Sequence, residues 1–244
     1  MPKYILSGVN GNVGSLLQQK FKSFSEYSKS LIVTDEKIFV HIAAKSHSDY
    51  KDIVQSNLNY LCEVIEFCKI NNIKKFIFFS AISIYTNGEI YSISKLLGEK
   101  VLKESGLEVL VIRLPMILTK EKKNGVLNRI VQKLEKNEDI VLYNGYRKFN
   151  NFISIDDIYN FISSYSFRKK YEIVDLASSK ENKLVEIVKS LKGNLSSKSK
   201  VILSKQSNDF FNISIKKAKY KYQYNPSKTE KILSNWIKIR NKGK

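Results

Sequence analysis

Tyr4-Ile5-Leu6-Ser7-Gly8-Val9-Asn10-Gly11-Asn12-Val13-Gly14 decides how this chain is read. The first residues make a short apolar run. Glycines then recur at every third position, and Leu16, Leu17 and Phe21 follow at helical spacing. A strand that turns through glycines into a helix is a cradle for a pyrophosphate. The glycines permit the tight turn and the close backbone approach, and the helix N-terminus supplies N–H donors and a positive dipole end. Gly8, Asn10, Gly11, Asn12, Val13 and Gly14 are therefore candidate cofactor-binding residues.

Outward from this turn, β-rich runs alternate with helical patterns: strand 3–7, helix 12–23, strand 30–34, strand 38–44, helix 49–71, strand 75–80, helix 89–104 and strand 108–113. That alternation predicts an α/β fold, a Rossmann-like doubly wound parallel sheet with helices on both faces. Asn71-Asn72 and Gly106 stand where left-handed residues end helices. Further helices are expected at 124–136, 156–168, 181–192 and 226–239, with strands at 140–143 and 171–176 and a Ser/Lys-rich loop at 194–200. The 244 residues suit a single unit, with a dinucleotide-binding core of about 1–115 plus 150–177 and a small lobe from 116–149 and 178–244.

The net charge of +19 raises the question of nucleic acid, but the excess is Lys spread over all segments, which a Lys-favouring coding bias explains better than a binding stripe. The densest cluster, Lys216 to Lys221 and on to Lys244 with Tyr220, Tyr222 and Tyr224 between, reads as a solvated surface that could also meet a polyanion. Cys62 and Cys68 are too few and too poorly spaced for a disulfide framework or a metal cluster, so no metal is expected. With neither a signal-peptide pattern nor a run of the ~18 apolar residues a membrane span needs, a soluble, cytoplasmic protein is expected.

Tyr91-Ser92-Ile93-Ser94-Lys95 places a phenol and an ammonium on one face of a helical turn, the makings of an acid/base pair. Together with the glycine turn, it resembles the extended short-chain dehydrogenase/reductase family, the nucleotide-sugar epimerases, dehydratases and ketoreductases, with their G-x-x-G-x-x-G and Y-x-x-x-K patterns. Further segments are similar in the same order. Val40-His41-Ile42-Ala43-Ala44-Lys45 resembles the family's fourth strand with its Ala-Ala end beside the nicotinamide ribose, and Asn57 stands where the next helix carries Asn. Lys75-Phe76-Ile77-Phe78-Phe79-Ser80 resembles the fifth strand, Arg113-Leu114-Pro115 the strand end after the catalytic helix, and Asn151-Phe152-Ile153-Ser154-Ile155-Asp156-Asp157-Ile158 the F-x-x-V-D-D segment.

The resemblance implies NAD or NADP as cofactor, with Ala43, Ala44, Lys45, Lys95 and Pro115 joining the glycines in binding it. Tyr91 would move a proton to or from the substrate oxygen while Lys95 lowers the phenol's pKa and holds the ribose. The family's catalytic Ser or Thr position falls on Ala81, which leaves Ser80 and Ser83 as candidate catalytic hydroxyls. The chain is also trimmed around strands 2–3: between residues 23 and 38 one strand-helix unit is missing or reduced. Asp35 lies where a carboxylate would accept hydrogen bonds from the adenosine ribose, which favours NAD slightly, although it reads equally as a turn residue.

By the same resemblance the substrate is a nucleoside-diphosphate sugar lying against the small lobe, with Asn124, Asn128 and Arg147 as candidate contacts. The favoured reaction is reduction of a 4-keto-6-deoxy-sugar nucleotide. NAD-dependent 4-epimerisation is the alternative, and a non-catalytic dinucleotide-binding regulator the alternative from another class. Ala81-Ile82-Ser83 contains no acid, which disfavours dehydration. His41 reads as packed in its strand, whereas His47 could approach the cofactor or substrate. A homodimer through helices 49–71 and 89–104 is expected, with Leu61, Ile65, Leu96 and Leu97 as its apolar stripe.

Overall fold

Strands that are apolar at successive positions need cover on both faces, and the central sheet has it. The computed structural model describes residues 3–34, 37–86, 88–120, 125–179, 181–206 and 211–241, so Asp35 and Asn124 lie outside the described residues. β1 (Tyr4–Ser7), β2 (Phe24–Glu26), β3 (Ile38–His41), β4 (Lys75–Ala81), β5 (Glu108–Leu114) and β9 (Tyr171–Asp175) form one parallel sheet in the order β2-β1-β3-β4-β5-β9. Side chains alternate across it. Leu6, Val40, Ile77, Phe79, Leu110 and Ile112 face one layer, where Leu17 of α1 (Gly14–Leu17) and Ile158 and Phe161 of α6 (Ile155–Ser164) meet them. Ile5, Phe39, Phe76, Phe78, Val109 and Val111 face the other, covered by α3 (Tyr60–Ile70) and α4 (Ile90–Glu104).

A second core lies beyond the sheet. It joins α5 (Val126–Glu135), α7 (Leu184–Asn194) and the C-terminal α9 (Thr229–Asn241), with Trp236 fully buried and donating to the Thr119 carbonyl at 2.9 Å. Two short parallel pairs edge it: β6 (Met116–Ile117) with β8 (Phe152–Ile153), and β7 (Ile140–Leu142) with β10 (Val201–Leu203). Residues 213–224, including α8 (Lys216–Tyr222), return to the first core through Ile213, Ile215, Ala218 and Tyr224. Lys217 and Lys221 of α8 both pair with Glu172, so part of the basic cluster is used within the fold.

Three expectations are corrected. The second strand is not 30–34: those residues are irregular, Ile32 is 85% exposed, and β2 is instead Phe24–Glu26. Helix 49–71 is interrupted, running as α2 (Tyr50–Val54), a π turn at Gln55–Asn59, and α3. Leu61 and Ile65 are 0% and 3% exposed and pack under the sheet, while Leu96 and Leu97 are 40% and 47% exposed. Only the latter two belong to an outward apolar face, together with Ile90 and Ile93.

The sheet order places a switch point between β1 and β3, where the chain leaves in opposite directions and a crevice opens at the strand ends. Two glycines make the crossing possible. A Cβ on Gly14 would lie 2.0 Å from the Gly8 carbonyl oxygen, whereas one on Gly11 would meet that oxygen at 3.3 Å. Gly14→Ala should therefore lower the melting temperature by about 5 °C or more and Gly11→Ala by much less. Thermal denaturation checks this, and equal melting of the two variants would contradict the close approach.

Candidate active site

The glycine turn is built from the backbone. Gly8 has φ +77°, a conformation that favours glycine, and a Cβ there would lie 2.6 Å from the Ala43 nitrogen. Gly11 N donates to Gly8 O at 3.1 Å and Ser15 N to Gly11 O at 2.8 Å, which carries the turn into α1. A cavity of about 620 Å³ opens above it. Gly8, Gly11, Asn12, Val13 and Gly14 form one wall, Ala43, Ala44 and Lys45 a second, and Tyr91, Lys95, Ser80 and Pro115 complete it. Asn10 turns aside: its Nδ2 donates to Glu26 Oε1 at 3.4 Å.

Two of these walls are pinned together. Asn57, in the π turn, accepts from Lys45 N at 2.8 Å and donates through Nδ2 to Lys45 O at 2.9 Å and Ser94 Oγ at 3.0 Å. Ser94 Oγ in turn donates to the Tyr91 carbonyl at 2.7 Å. The loop after β3 and the first turn of α4 are thus held as one unit. Lys95 is buried, with Nζ donating to Phe79 O at 2.8 Å and lying 4.7 Å from the Phe78 ring centroid. Burial pulls its pKa down to about 7, against the opposing pull of the Glu99 carboxylate. Burial pushes the Tyr91 phenol up to about 12.

The two serines are placed differently. Ser80 Oγ donates to Glu99 Oε1 at 2.6 Å, so its proton is committed away from the cavity. Glu99 is paired with Arg113 at 2.6 and 2.9 Å, Arg113 reaches the Tyr85 hydroxyl, and Tyr85 donates to Asp175 at 3.1 Å. Ser83 instead lines a second cavity of about 480 Å³ together with Ala81, Ile82 and Tyr91. Ser92 Oγ donates to Ser83 Oγ at 2.7 Å, which leaves the Ser83 proton for another acceptor. The two cavities share Tyr91, Asn12, Val13 and Pro115, so the phenol stands at their junction.

Asn128 lines the second cavity, with its Oδ1 accepting from the buried Arg240 at 2.7 Å. Arg147 does not line either cavity. It is exposed on the loop after β7, and its carbonyl accepts from Leu184 N at 3.0 Å. His47 lines the second cavity. His41 is packed: its Nδ1 is 2.9 Å from Ser7 Oγ, and burial, with Lys95 nearby, holds its pKa at about 3. Two residues beside the site were not singled out from sequence. Glu26 ends β2, accepts from Asn10 and lines neither cavity, and its position after a β1-helix-β2 crossover is the signal that could have found it. Asn151 lines the second cavity immediately before β8.

A model of the NAD dependent epimerase/dehydratase family matches residues 37–174, more than half of the chain. The chain belongs to that family. The match spans Ala43-Ala44, Tyr91 and Lys95 and begins after the glycine turn, whose assignment therefore stands on its geometry. No curated protein sequence matches the chain. Among solved structures, a UDP-glucuronic acid 4-epimerase from Bacillus cereus in complex with NAD is 16% identical at a TM-score of 0.76, covering 99% of each chain. A UDP-glucose 4-epimerase with UDP-glucose from Thermotoga maritima is 15% identical at 0.77, over 98% of this chain and 99% of that one. A protein called RMD from Pseudomonas aeruginosa, complexed with NADPH, is 13% identical at 0.74, over 99% and 100%. At such identities the likeness establishes the fold.

The depressed Lys95 pKa has a measurable consequence in this family member. Below about 7 the ammonium is buried at a cost, and above the ordinary 10.5 the amine is neutral in both folded and unfolded chains. Between those values the unfolded state binds more protons, so stability rises with pH and is lost as pH falls. Thermal denaturation at about pH 6.5 and about pH 9 should show wild type gaining on Lys95→Met at the higher pH. Identical pH responses would contradict the buried position of the amine.

Proposed function

We propose that this chain is an NAD(P)-dependent oxidoreductase of nucleotide-activated sugars, acting as the reductase of a 4-keto-6-deoxy-sugar nucleotide. The observation that carries the reading is the place of Tyr91, shared by the glycine-walled cavity and the second cavity, one helical turn from Lys95. The first cavity fits a dinucleotide: its floor is backbone that a Cβ would fill, at Gly8 above all. Gly8, Gly11 and Gly14 would hold the pyrophosphate, and Ala43, Ala44, Lys45, Lys95 and Pro115 the nicotinamide half. Glu26, exposed at the end of β2, supports NAD over NADP, because a carboxylate accepts from ribose hydroxyls and repels a ribose phosphate. When bound, the nicotinamide supplies the hydride.

The residues of the chain account for the proton. With its pKa raised to about 12, Tyr91 carries its proton at neutral pH and can give it to a substrate carbonyl oxygen. Ser83, oriented by Ser92, would donate a hydrogen bond to the same oxygen from a position two residues beyond Ala81, while Ser80 serves Glu99. Ile82, Met116 and Phe211 give the second cavity an apolar surface suited to the methyl group of a 6-deoxy sugar. Asn128, and Asn124 outside the described residues, are the candidates for the nucleotide, whereas Arg147 stands apart from both cavities. The exposed face of α4, with Ile90, Ile93 and Leu97, supports a homodimer.

NAD-dependent 4-epimerisation is the second reading, favoured by two similar structures that are 4-epimerases by name. It would require Tyr91 to start as the phenolate, which its burial opposes, so as first to accept and then to return the same proton, and it would consume no cofactor. In either reaction Tyr91→Phe keeps the ring and deletes the proton, so turnover should fall by about 10² to 10⁴ with dinucleotide affinity little changed. A panel of keto-sugar and sugar nucleotides assayed by cofactor absorbance and product analysis checks this. A Tyr91→Phe protein as active as wild type would contradict the proposal.

A further inference from the structure

A third cavity, of about 650 Å³, opens on the seam between the two cores and, among the described residues, shares no lining residue with the two that meet at Tyr91. Along one side α9 presents Lys231, Asn235 and Ile239, which stand one above the other at i,i+4 spacing. Leu16 of α1, with Gln19 and Lys20 in the turn that follows it, lines another side. Leu16 and Ile239 are half-buried and give the cavity apolar walls, while Leu118, Ile155, Ile232 and Trp236 close the floor between them. Most of the polar groups in the lining are already used. Ser154 Oγ accepts from Asp157 N at 3.1 Å, Ser227 Oγ donates to Asp157 Oδ1 at 2.8 Å, and Gln19 donates to Ser15 O at 3.0 Å. Lys20 Nζ is held at 2.6 Å by Asp156, the one carboxylate in the lining among the described residues. Lys120 and Lys231 are exposed at the rim and meet no carboxylate among the described residues.

We propose that this cavity is a binding site for a small amphipathic anion: an apolar body of one or two rings, or a chain of similar bulk, ending in a single carboxylate or sulfonate. Facing apolar walls in a concave site take such a body out of water on two sides at once. It lies between Leu16 and Ile239, with its charged end at the rim beside Lys120 and Lys231. A cation is disfavoured there, because its only carboxylate partner among the described lining residues is already paired with Lys20. The site stands apart from the proposed reaction, since no residue of the glycine turn, and neither Tyr91 nor Lys95, belongs to it.

Fluorescence titration of the full chain with NAD present tests this with two probes that share their rings, anilinonaphthalene sulfonate and the uncharged phenylnaphthylamine. Wild type should bind one sulfonate probe per chain, about tenfold more tightly than the uncharged one. Lys120→Gln combined with Lys231→Gln should weaken the sulfonate probe by about fivefold or more and leave the uncharged one unchanged. These lysines are exposed, so the double variant should melt as wild type does. Lys169→Gln combined with Lys170→Gln, just before β9, lowers the net charge equally and should change neither affinity. Ile239→Glu, which sets a carboxylate in the apolar wall, should weaken both probes, the sulfonate more. Equal affinity of wild type for the two probes would overturn the proposal, as would a sulfonate affinity that survives both the Lys120/Lys231 changes and Ile239→Glu. So would displacement of the probe by added NAD or by UDP-glucose, which would place it in the cavities at Tyr91. The same loss from the Lys169/Lys170 changes would overturn it too, by making the effect one of overall charge.

Discussion

The structure depends on one steric constraint: at the ends of β1 and β3 the backbone of Gly8 meets both Gly14 and Ala43 with no room for a Cβ. The strand end, the helix start and the neighbouring strand end can converge only because glycine stands at 8 and 14. Convergence has two consequences. It closes the parallel sheet at its switch point, and it leaves a floor of bare backbone amides facing the crevice. A dinucleotide cavity is thus what remains when three elements are packed as closely as backbone allows.

Lys95 is a buried amine in the cavity that Tyr91 also lines, and its Nζ is held by the Phe79 carbonyl on β4. One turn further along α4, Glu99 is clasped by Ser80 and Arg113, on β4 and β5. The pair is nearly solvent-free, with side chains 2% and 12% exposed, and removing either partner would leave an uncompensated charge costing about 3–5 kcal/mol. Glu99 also opposes the pull of burial on Lys95. The same carboxylate thus ties α4 to the sheet and acts on the amine that the helix carries. Commitment of Ser80 to it explains why that hydroxyl serves structure while Ser83, across the junction, faces the second cavity.

Much of this was legible in the sequence where a residue type has a mechanical reason to stand at its position. The glycine turn, the apolar strands and the Tyr91–Lys95 spacing each announced where their residues stand, the strands in the sheet and the other two around one cavity. β2 was not legible, because Phe24-Ser25-Glu26 is too short to show a period, while Leu31-Ile32-Val33 has high β-propensity but no strand to pair with. Leu31 and Val33 instead pack beside the aromatic cluster of Tyr27, Phe39 and Phe67. With the strand misplaced, the carboxylate that closes the second strand was sought at Asp35, which lies outside the described residues, whereas the strand described ends on Glu26. The partner of Ser80 lies 19 residues away on another element, a contact no local pattern announces. Arg147 was chosen for its chemistry, yet chemistry does not say which loop residue lines the cavity; Asn151, a few residues on, is the one that does.

The central claim is that the Gly8–Gly14 floor holds a dinucleotide beside Tyr91. Native mass spectrometry of the purified protein, before and after incubation with NAD, tests it most directly when set beside Gly11→Val, which fills the floor at its most open glycine. The account predicts one NAD per chain in wild type and affinity lower by about tenfold or more in the folded variant. A wild-type protein that neither retains nor takes up a dinucleotide, or a Gly11→Val protein that binds it equally well, would contradict it.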